Sequence, residues 1–145
     1  MPSIDIEKVW SDDDVVELAI TTTDECSSFY VKVYAGHQNL RSLIADLDRF
    51  KDQLYGGIYD MKLGEFGHEY ANGAFQARLH FQRDGRGHLF ITVRAESDWR
   101  PFNNTNVASC ATLHLKSEPA LLDRFIGELG RVSSGTKTNA TLECV

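Results

Sequence analysis

Three histidines and one arginine in the second half of the chain have the side chains needed for acid–base chemistry. His80, His88, Arg94 and His114 occupy polar positions in segments that alternate apolar and polar residues. Two imidazoles beside an arginine can transfer a proton and hold an anion, as in a metal-free phosphodiester-cleaving site. The alternation places Phe90 among them, on the outer face of a predicted sheet. One hypothesis is therefore a small enzyme or ligand-binding protein with its site on this face.

Other catalytic and ligand-binding motifs are missing from the sequence. No two of the five histidines have a His-x-x-x-His spacing, and we expect no metal site. The glycine-rich segment 83–87 connects two predicted strands and lacks the helix N-terminus that binds phosphate. The three cysteines are widely spaced and fit neither a disulfide framework nor paired zinc ligands. We expect no cofactor, and the absence of these motifs favours a binding protein over an enzyme.

The polar connection 96–106 is a second candidate site, because it carries two aromatic side chains and an arginine. Trp99 and Phe102 flank Arg100 within it. Tryptophan, other aromatic residues and arginine are enriched in protein-binding interfaces and their hot spots. The alternative is that Trp99 closes the open end of the hydrophobic core.

The first half of the chain predicts a hairpin followed by a helix. Residues 15–23 and 29–34 alternate apolar and polar side chains, which is typical of two half-buried strands. From residue 40 to residue 54 the apolar side chains recur at spacings of three and four, which predicts an amphipathic helix. Asn39 is the expected N-cap, and Gly56-Gly57 is the expected end of this helix.

Alternation returns in the middle of the chain and indicates a register. Residues 58–66 form a weak strand pattern, and residues 75–81 and 89–95 form strong ones. A two-residue turn would place core residues opposite residues of the other face. A three-residue loop, 84–86, instead opposes Phe81 to Leu89 and keeps the apolar side chains on one side.

The rest of the chain predicts one more long strand and one more helix. The strand covers 107–115, and the helix runs from Pro119 to about Arg131. The tail 133–145 is polar, with an alternation that allows a short edge strand. The order ββαββββα predicts a single α+β domain, 1–145, with one antiparallel sheet of about six strands and two helices packed on one face.

Charge and hydropathy limit the partners. A net charge of −6 and a pI near 5.3 oppose binding to phosphate backbones, so we expect no nucleic-acid partner. The acids include the run Asp12, Asp13, Asp14, which fits a solvated turn or a docking patch for a basic partner. No apolar run reaches the roughly 20 residues that span a bilayer, and no basic segment precedes an apolar one at the N-terminus. We expect no membrane partner and a cytoplasmic location.

Several segments between residues 75 and 129 carry a resemblance. They are the turn DGRGHL (84–89), the tryptophan-bearing connection, the strand ATLHL (111–115) and the leucine-rich closing helix. Together they resemble a family of uncharacterised small bacterial α+β proteins. Similar small α+β domains occur among immunity proteins of bacterial toxin systems, which is an analogy at the level of the fold. The resemblance implies a non-catalytic, protein-binding function and assigns no site residue.

Self-association is a further expectation. Phe90, Ala108, Cys110 and Thr112 lie on the outer sheet face, where a monomer would favour charged side chains. A second copy of the chain is a common way to cover such a face. The sequence therefore predicts a protein-binding domain whose partner is another protein or a second copy in a homodimer.

Overall fold

A computed structural model describes residues 1–70, 72–84 and 86–145, and these residues form ten strands and two helices. In chain order they are β1 (Ser3–Ser11), β2 (Val15–Thr23), β3 (Ser28–Gly36), α1 (His37–Phe50), β4 (Ile58–Gly64), β5 (Ala74–Phe81), β6 (Leu89–Glu96), β7 (Arg100–Phe102), β8 (Thr105–Val107), β9 (Cys110–Ser117), α2 (Pro119–Ser134) and β10 (Asn139–Glu143). None of the helices in the described part of the chain is long and apolar enough to cross a membrane.

The described strands are divided between two larger antiparallel sheets and one small hairpin. The first sheet has the order β10-β1-β2-β3, the second sheet has the order β4-β5-β6-β9, and β7 pairs with β8. The predicted single sheet of about six strands in the order ββαββββα is therefore wrong. Alternation shows which side of a strand is apolar, but it does not show which strands pair beyond a hairpin.

Strand β1 explains much of this difference. Its Ile4 and Ile6 are fully buried, and it pairs with β2 on one side and β10 on the other. Only these two apolar residues follow the alternation before the pattern breaks at Lys8. The segment was too short a signal to be predicted as a strand, although it lies at the centre of the first sheet.

Both helices contribute to one core with the inner faces of both sheets. The predicted apolar stripes are confirmed, because their main members are buried: Leu40, Leu43, Leu47 and Phe50 in α1, and Leu122, Phe125, Ile126 and Leu129 in α2. The ring of Phe50 stacks on Phe81 of β5, with ring centroids 4.9 Å apart. The helices also contact each other. They therefore fill a core shared by two sheets and do not cover one face of a single sheet.

The register of the central hairpin is confirmed. Leu79 pairs with Ile91, and Phe81 pairs with Leu89. The predicted pairing of β2 with β3 is also confirmed. Residue 85 of the predicted loop 84–86 lies outside the described residues.

The predicted ends of the helices need correction. Helix α1 begins at His37, and its N-cap is Gly36 without a side-chain hydrogen bond, so Asn39 is not the cap. Helix α1 ends at Phe50 and not at Gly56-Gly57. Helix α2 extends to Ser134, beyond the predicted Arg131, and Gly135 adopts φ 88° and donates its amide to the last turn. Left-handed backbone at this position favours glycine, which explains where α2 stops.

The two sheets meet along two seams. At the first seam the amide of Gly73 donates to the carbonyl of Lys32 in β3, at 2.8 Å. A Cβ atom on Gly73 would lie 2.5 Å from the carbonyl oxygen of Glu96, so only glycine fits there. At the second seam the amide of Val145 donates to the carbonyl of Lys116 in β9, at 2.8 Å. These contacts join the edges of the two sheets around the common core.

Candidate protein-binding surface

The predicted histidine and arginine residues lie on the outer face of the second sheet or beside it. Each row across this face takes one residue from β4, β5, β6 and β9 in turn. The rows are Ile58–His80–Phe90–Lys116, Asp60–Arg78–Thr92–His114 and Lys62–Gln76–Arg94–Thr112. His88 lies in the connection that precedes β6. The structure therefore spreads the predicted site over three rows and a loop.

Polar side chains on this face are engaged by their neighbours. Arg78 donates two hydrogen bonds to the carboxylate of Asp60, at 2.8 and 3.0 Å. These bonds from Arg78 hold the pKa of Asp60 below its ordinary value. His114 Nδ1 lies 3.3 Å from the hydroxyl of Thr92. The guanidinium of Arg94 lies 4.1 Å from the ring centroid of Phe66, which is a cation–π contact.

His88 is also held by local contacts, and His80 lies apart from His114. His88 Nδ1 lies 3.3 Å from Gln82 Oε1, and the His88 ring meets the Phe90 ring edge-on at 6.4 Å. His80 and His114 are two strands and one row apart, which separates their Cα atoms by roughly 12 Å. His80 and His114 are therefore not direct neighbours on this face. Among the described residues, no group of three or more His, Cys, Asp or Glu is placed to hold a metal ion.

His114 does line a cleft, but with residues other than those predicted. The cleft, of about 370 Å³, lies near the second seam. Its lining residues are Pro2, Asp24, Glu25, Cys26, His114, Leu115, Lys116 and Val145. His80, His88 and Arg94 are not among them. The structure therefore joins His114 to the turn between β2 and β3 and not to the other predicted residues.

The tryptophan-bearing connection divides into a half-buried part and an exposed part. Trp99 is half-buried, and its ring meets His68 edge-on at 5.9 Å. Its indole Nε1 is enclosed and has no hydrogen-bond partner within the described residues. The following residues form the hairpin β7–β8, in which Arg100 is exposed and Phe102 is 67% exposed. Arg100 and Phe102 are therefore available to a partner, whereas Trp99 packs against the protein itself.

A group of exposed aromatic rings lies on the outer face of the first sheet, and sequence analysis did not recognise it. Trp10 and Tyr34 flank Glu17 in one row across β1, β2 and β3, and Tyr30 lies four residues before Tyr34. Their exposed fractions are 49% for Trp10, 41% for Tyr34 and 56% for Tyr30. We call Trp10, Tyr30 and Tyr34 the aromatic face.

A β-bulge brings Trp10 to the aromatic face. The register of β1 shifts between Lys8 and Trp10, so Lys8 pairs with Leu18 and Trp10 pairs with Glu17. Without the extra residue, Trp10 would follow Ile4 and Ile6 onto the inner face. Bulges commonly redirect a side chain in this way. The break in alternation that begins at Lys8 was the signal in the sequence for this change of face.

The acidic turn Asp12–Asp14 follows the end of β1 at Ser11 and is held by local hydrogen bonds. The Asp12 carboxylate accepts hydrogen bonds from the amides of Asp14 and Val15, at 2.8 and 2.9 Å. Hydrogen bonds from Val15 and then Asp14 lower the pKa of Asp12, with His37 adding to the effect, so this carboxylate stays charged at neutral pH. The Nε2 of His37 donates to the Asp12 carbonyl, at 2.7 Å. The turn is thus fixed against the start of α1.

The aromatic face and the β7–β8 hairpin meet at a small cleft. Tyr30 and Arg100 both line this cleft, which has a volume of about 230 Å³, together with Lys32, Asn72 and Asp98. Asn72 also donates to the carboxylate of Glu17, at 2.6 Å. The predicted Arg100 and the unpredicted Tyr30 therefore belong to one continuous surface.

Comparisons with protein-family models, with curated proteins and with solved structures find no match for this chain. The resemblance drawn from residues 75–129 therefore stays a prediction.

Proposed function

We propose that this chain is a non-catalytic, immunity-like protein-binding domain, acting in the cytoplasm, and that its partner binds to the aromatic face and the β7–β8 hairpin. The observation that carries this proposal is the cleft shared by Tyr30 and Arg100. Tyrosine, tryptophan and arginine are the side chains that dominate binding energy at protein interfaces. Here Tyr30 and Arg100 are exposed and line one cleft, and Trp10 is exposed on the same outer face as Tyr30.

The outer face of the second sheet differs from the aromatic face, and this difference supports the proposal. Its polar groups contact one another, as Asp60 does with Arg78 and His114 with Thr92. Its candidate acid–base residues are spread over three rows and a connection. The immunity-like part of the proposal depends on the resemblance of residues 75–129, and the cytoplasmic part fits three unpaired cysteines, Cys26, Cys110 and Cys144.

Affinity capture from the native host tests the proposal. The immobilised wild-type chain is compared with a Tyr30→Ala/Arg100→Ala double variant and with Ile58→Ala, a control at a 59% exposed position on the second sheet. We expect a protein that wild type and Ile58→Ala retain and that the double variant loses. Loss on Ile58→Ala with retention by the double variant would assign binding to the second sheet and contradict the proposal.

The cleft beside His114 supports a second candidate, a ligand-binding function. Its volume of about 370 Å³ lies within the usual range for small-molecule sites. It offers an imidazole, a thiol and the ammonium of Lys116 beside the acids Asp24 and Glu25. Thermal-shift screening with a metabolite set tests it: a ligand that stabilises wild type and not His114→Ala would establish this function. Homodimerisation through the Phe90 face also stays a prediction.

A further inference from the structure

The exposed rings of the aromatic face are surrounded by carboxylates. Glu17 lies between Trp10 and Tyr34 in the same row, and Glu7 lies in the next row, opposite Ala19. The exposed acidic turn 12–14 follows at the end of β1. The basic side chain in these rows is Lys32, which pairs across the sheet with Ala19. The end of the face that carries Trp10 is therefore both aromatic and strongly negative.

Nearby positive charge does not neutralise this end. Lys62 lines a cleft with Tyr34, but its ammonium lies 3.1 Å from the carboxylate of Glu65. The Glu17 carboxylate accepts from the neutral amide of Asn72, which leaves its charge in place. A cation placed over a ring that lies beside carboxylates is attracted both by the quadrupole of the ring and by the negative charge of the carboxylates.

We infer that the partner presents a cationic protein surface whose lysine or arginine side chains lie against Trp10 and Tyr34. This inference rests on the protein-binding function proposed above. A second copy of this chain would bring the same acids face to face in a symmetric interface, which like-charge repulsion disfavours. An anionic lipid or nucleic-acid surface is disfavoured for the same reason. A cationic protein complements both the rings and the carboxylates.

The dimensions of the face also fit a protein partner. Strands of nine residues in a sheet four strands wide give roughly 500 Å² in projection. Together with the β7–β8 hairpin, this approaches the area that one partner contributes to a small specific interface.

Titration of the full chain with a defined peptide tests the inference. The probe is an arginine-, glycine- and serine-containing peptide of net charge about +6, and its glutamate counterpart is the negative control. We expect amide chemical-shift changes to concentrate at Trp10, Glu17 and Tyr34. The Kd should rise at least about tenfold between about 20 and about 200 mM salt, because screening weakens surface charge attraction.

Matched variants separate ring chemistry from general charge attraction. Trp10→Phe keeps an aromatic ring and should bind the peptide within about threefold of wild type, whereas Trp10→Leu should lose about tenfold, the scale of a cation–π contact. Asp60→Asn, on the second sheet, should bind as wild type does. Equal loss in Trp10→Phe and Trp10→Leu, shifts centred on the second sheet, or equal binding of the glutamate peptide would overturn the inference. A captured partner with an acidic surface would overturn this inference while leaving protein binding established.

Discussion

The two larger sheets each have four antiparallel strands, but the side chains on their outer faces make different contacts. On the second sheet the charged groups contact neighbours on the same face, as Asp60 and Arg78 do at 2.8 Å. On the first sheet the aromatic rings stay exposed, and the basic residue in their rows, Lys32, lies opposite Ala19 and not opposite an acid. A sheet face whose groups satisfy one another serves stability. A face that leaves rings and charges unsatisfied is suited to binding.

The largest expected effect tests whether both faces rest on one core. Phe125→Ala removes a fully buried ring of α2 and should cost about 3–5 kcal/mol in the free energy of unfolding. Trp10 reports on the first sheet and Trp99 on the region beside the second, so urea unfolding of single-tryptophan variants follows each separately. Coincident transitions are expected. Two separate transitions would show that the sheets are independent units, and the comparison would then fail.

A smaller effect concerns the edge of the first sheet. Glu128 in α2 accepts a hydrogen bond from the amide of Thr141 in β10, at 3.0 Å, and also binds the ammonium of Lys137. Burial raises the pKa of Glu128, but the hydrogen bonds from Lys137 and Thr141 outweigh it, so the pKa lies below its ordinary value of 4.5. Glu128→Gln should therefore cost about 1–2 kcal/mol at neutral pH.

The pH dependence of this cost has a definite sign. Because the folded-state pKa of Glu128 is lowered, its stabilisation is complete above pH about 4.5 and is lost as the pH falls through the folded-state value. Glutamine does not titrate, so the gap between wild type and Glu128→Gln should shrink below that pH. Urea unfolding at several pH values measures the gap. A gap that stays constant down to pH about 3 would contradict the assigned role.

A substitution on each outer face tests the contrast directly. Phe90→Glu, on the second sheet, should cost about 1 kcal/mol because it removes a half-buried ring. Tyr34→Glu, on the aromatic face, should change stability by less than about 0.5 kcal/mol. Analytical ultracentrifugation of wild type and both variants also tests the homodimer. A wild-type dimer that only Phe90→Glu dissociates would place the self-association face on the second sheet, whereas a wild-type monomer at high concentration would show that the homodimer prediction is wrong.

The smallest effect concerns the ion pair on the second sheet. Asp60→Ala should cost about 0.5 kcal/mol, because both partners are partly exposed and surface ion pairs contribute little. A double-mutant cycle with Arg78→Ala isolates the pair. A coupling energy near zero would mean that the two groups are adjacent without stabilising each other, and would weaken the view that this face is arranged for stability.

The sequence predicted local features better than their assembly. The register of β5 against β6 follows from the alternation of apolar and polar residues, because only a loop with an odd number of residues keeps Phe81 and Leu89 on the same side of the sheet. The separation into two sheets depends on which strands become neighbours around the core, and periodicity carries no information on that. The aromatic face was missed because a bulge in β1 moves Trp10 from the inner face of the sheet to the outer face. Its link to Arg100 was missed because Tyr30 and Arg100 are far apart in sequence.

The two seams between the sheets differ in a way that bears on how the molecule opens. At the first seam backbone meets backbone at Gly73, with no space for a side chain. At the second seam the amide of Val145 and the hydroxyl of Ser117 hold the edges together. Cys144 is 3% exposed beside this second seam, and burial raises the pKa of its thiol to about 12. Cys26 and Cys110 are exposed and should react rapidly with an alkylating reagent. The slower labelling rate of Cys144 would then measure how often the protein opens locally at the second seam.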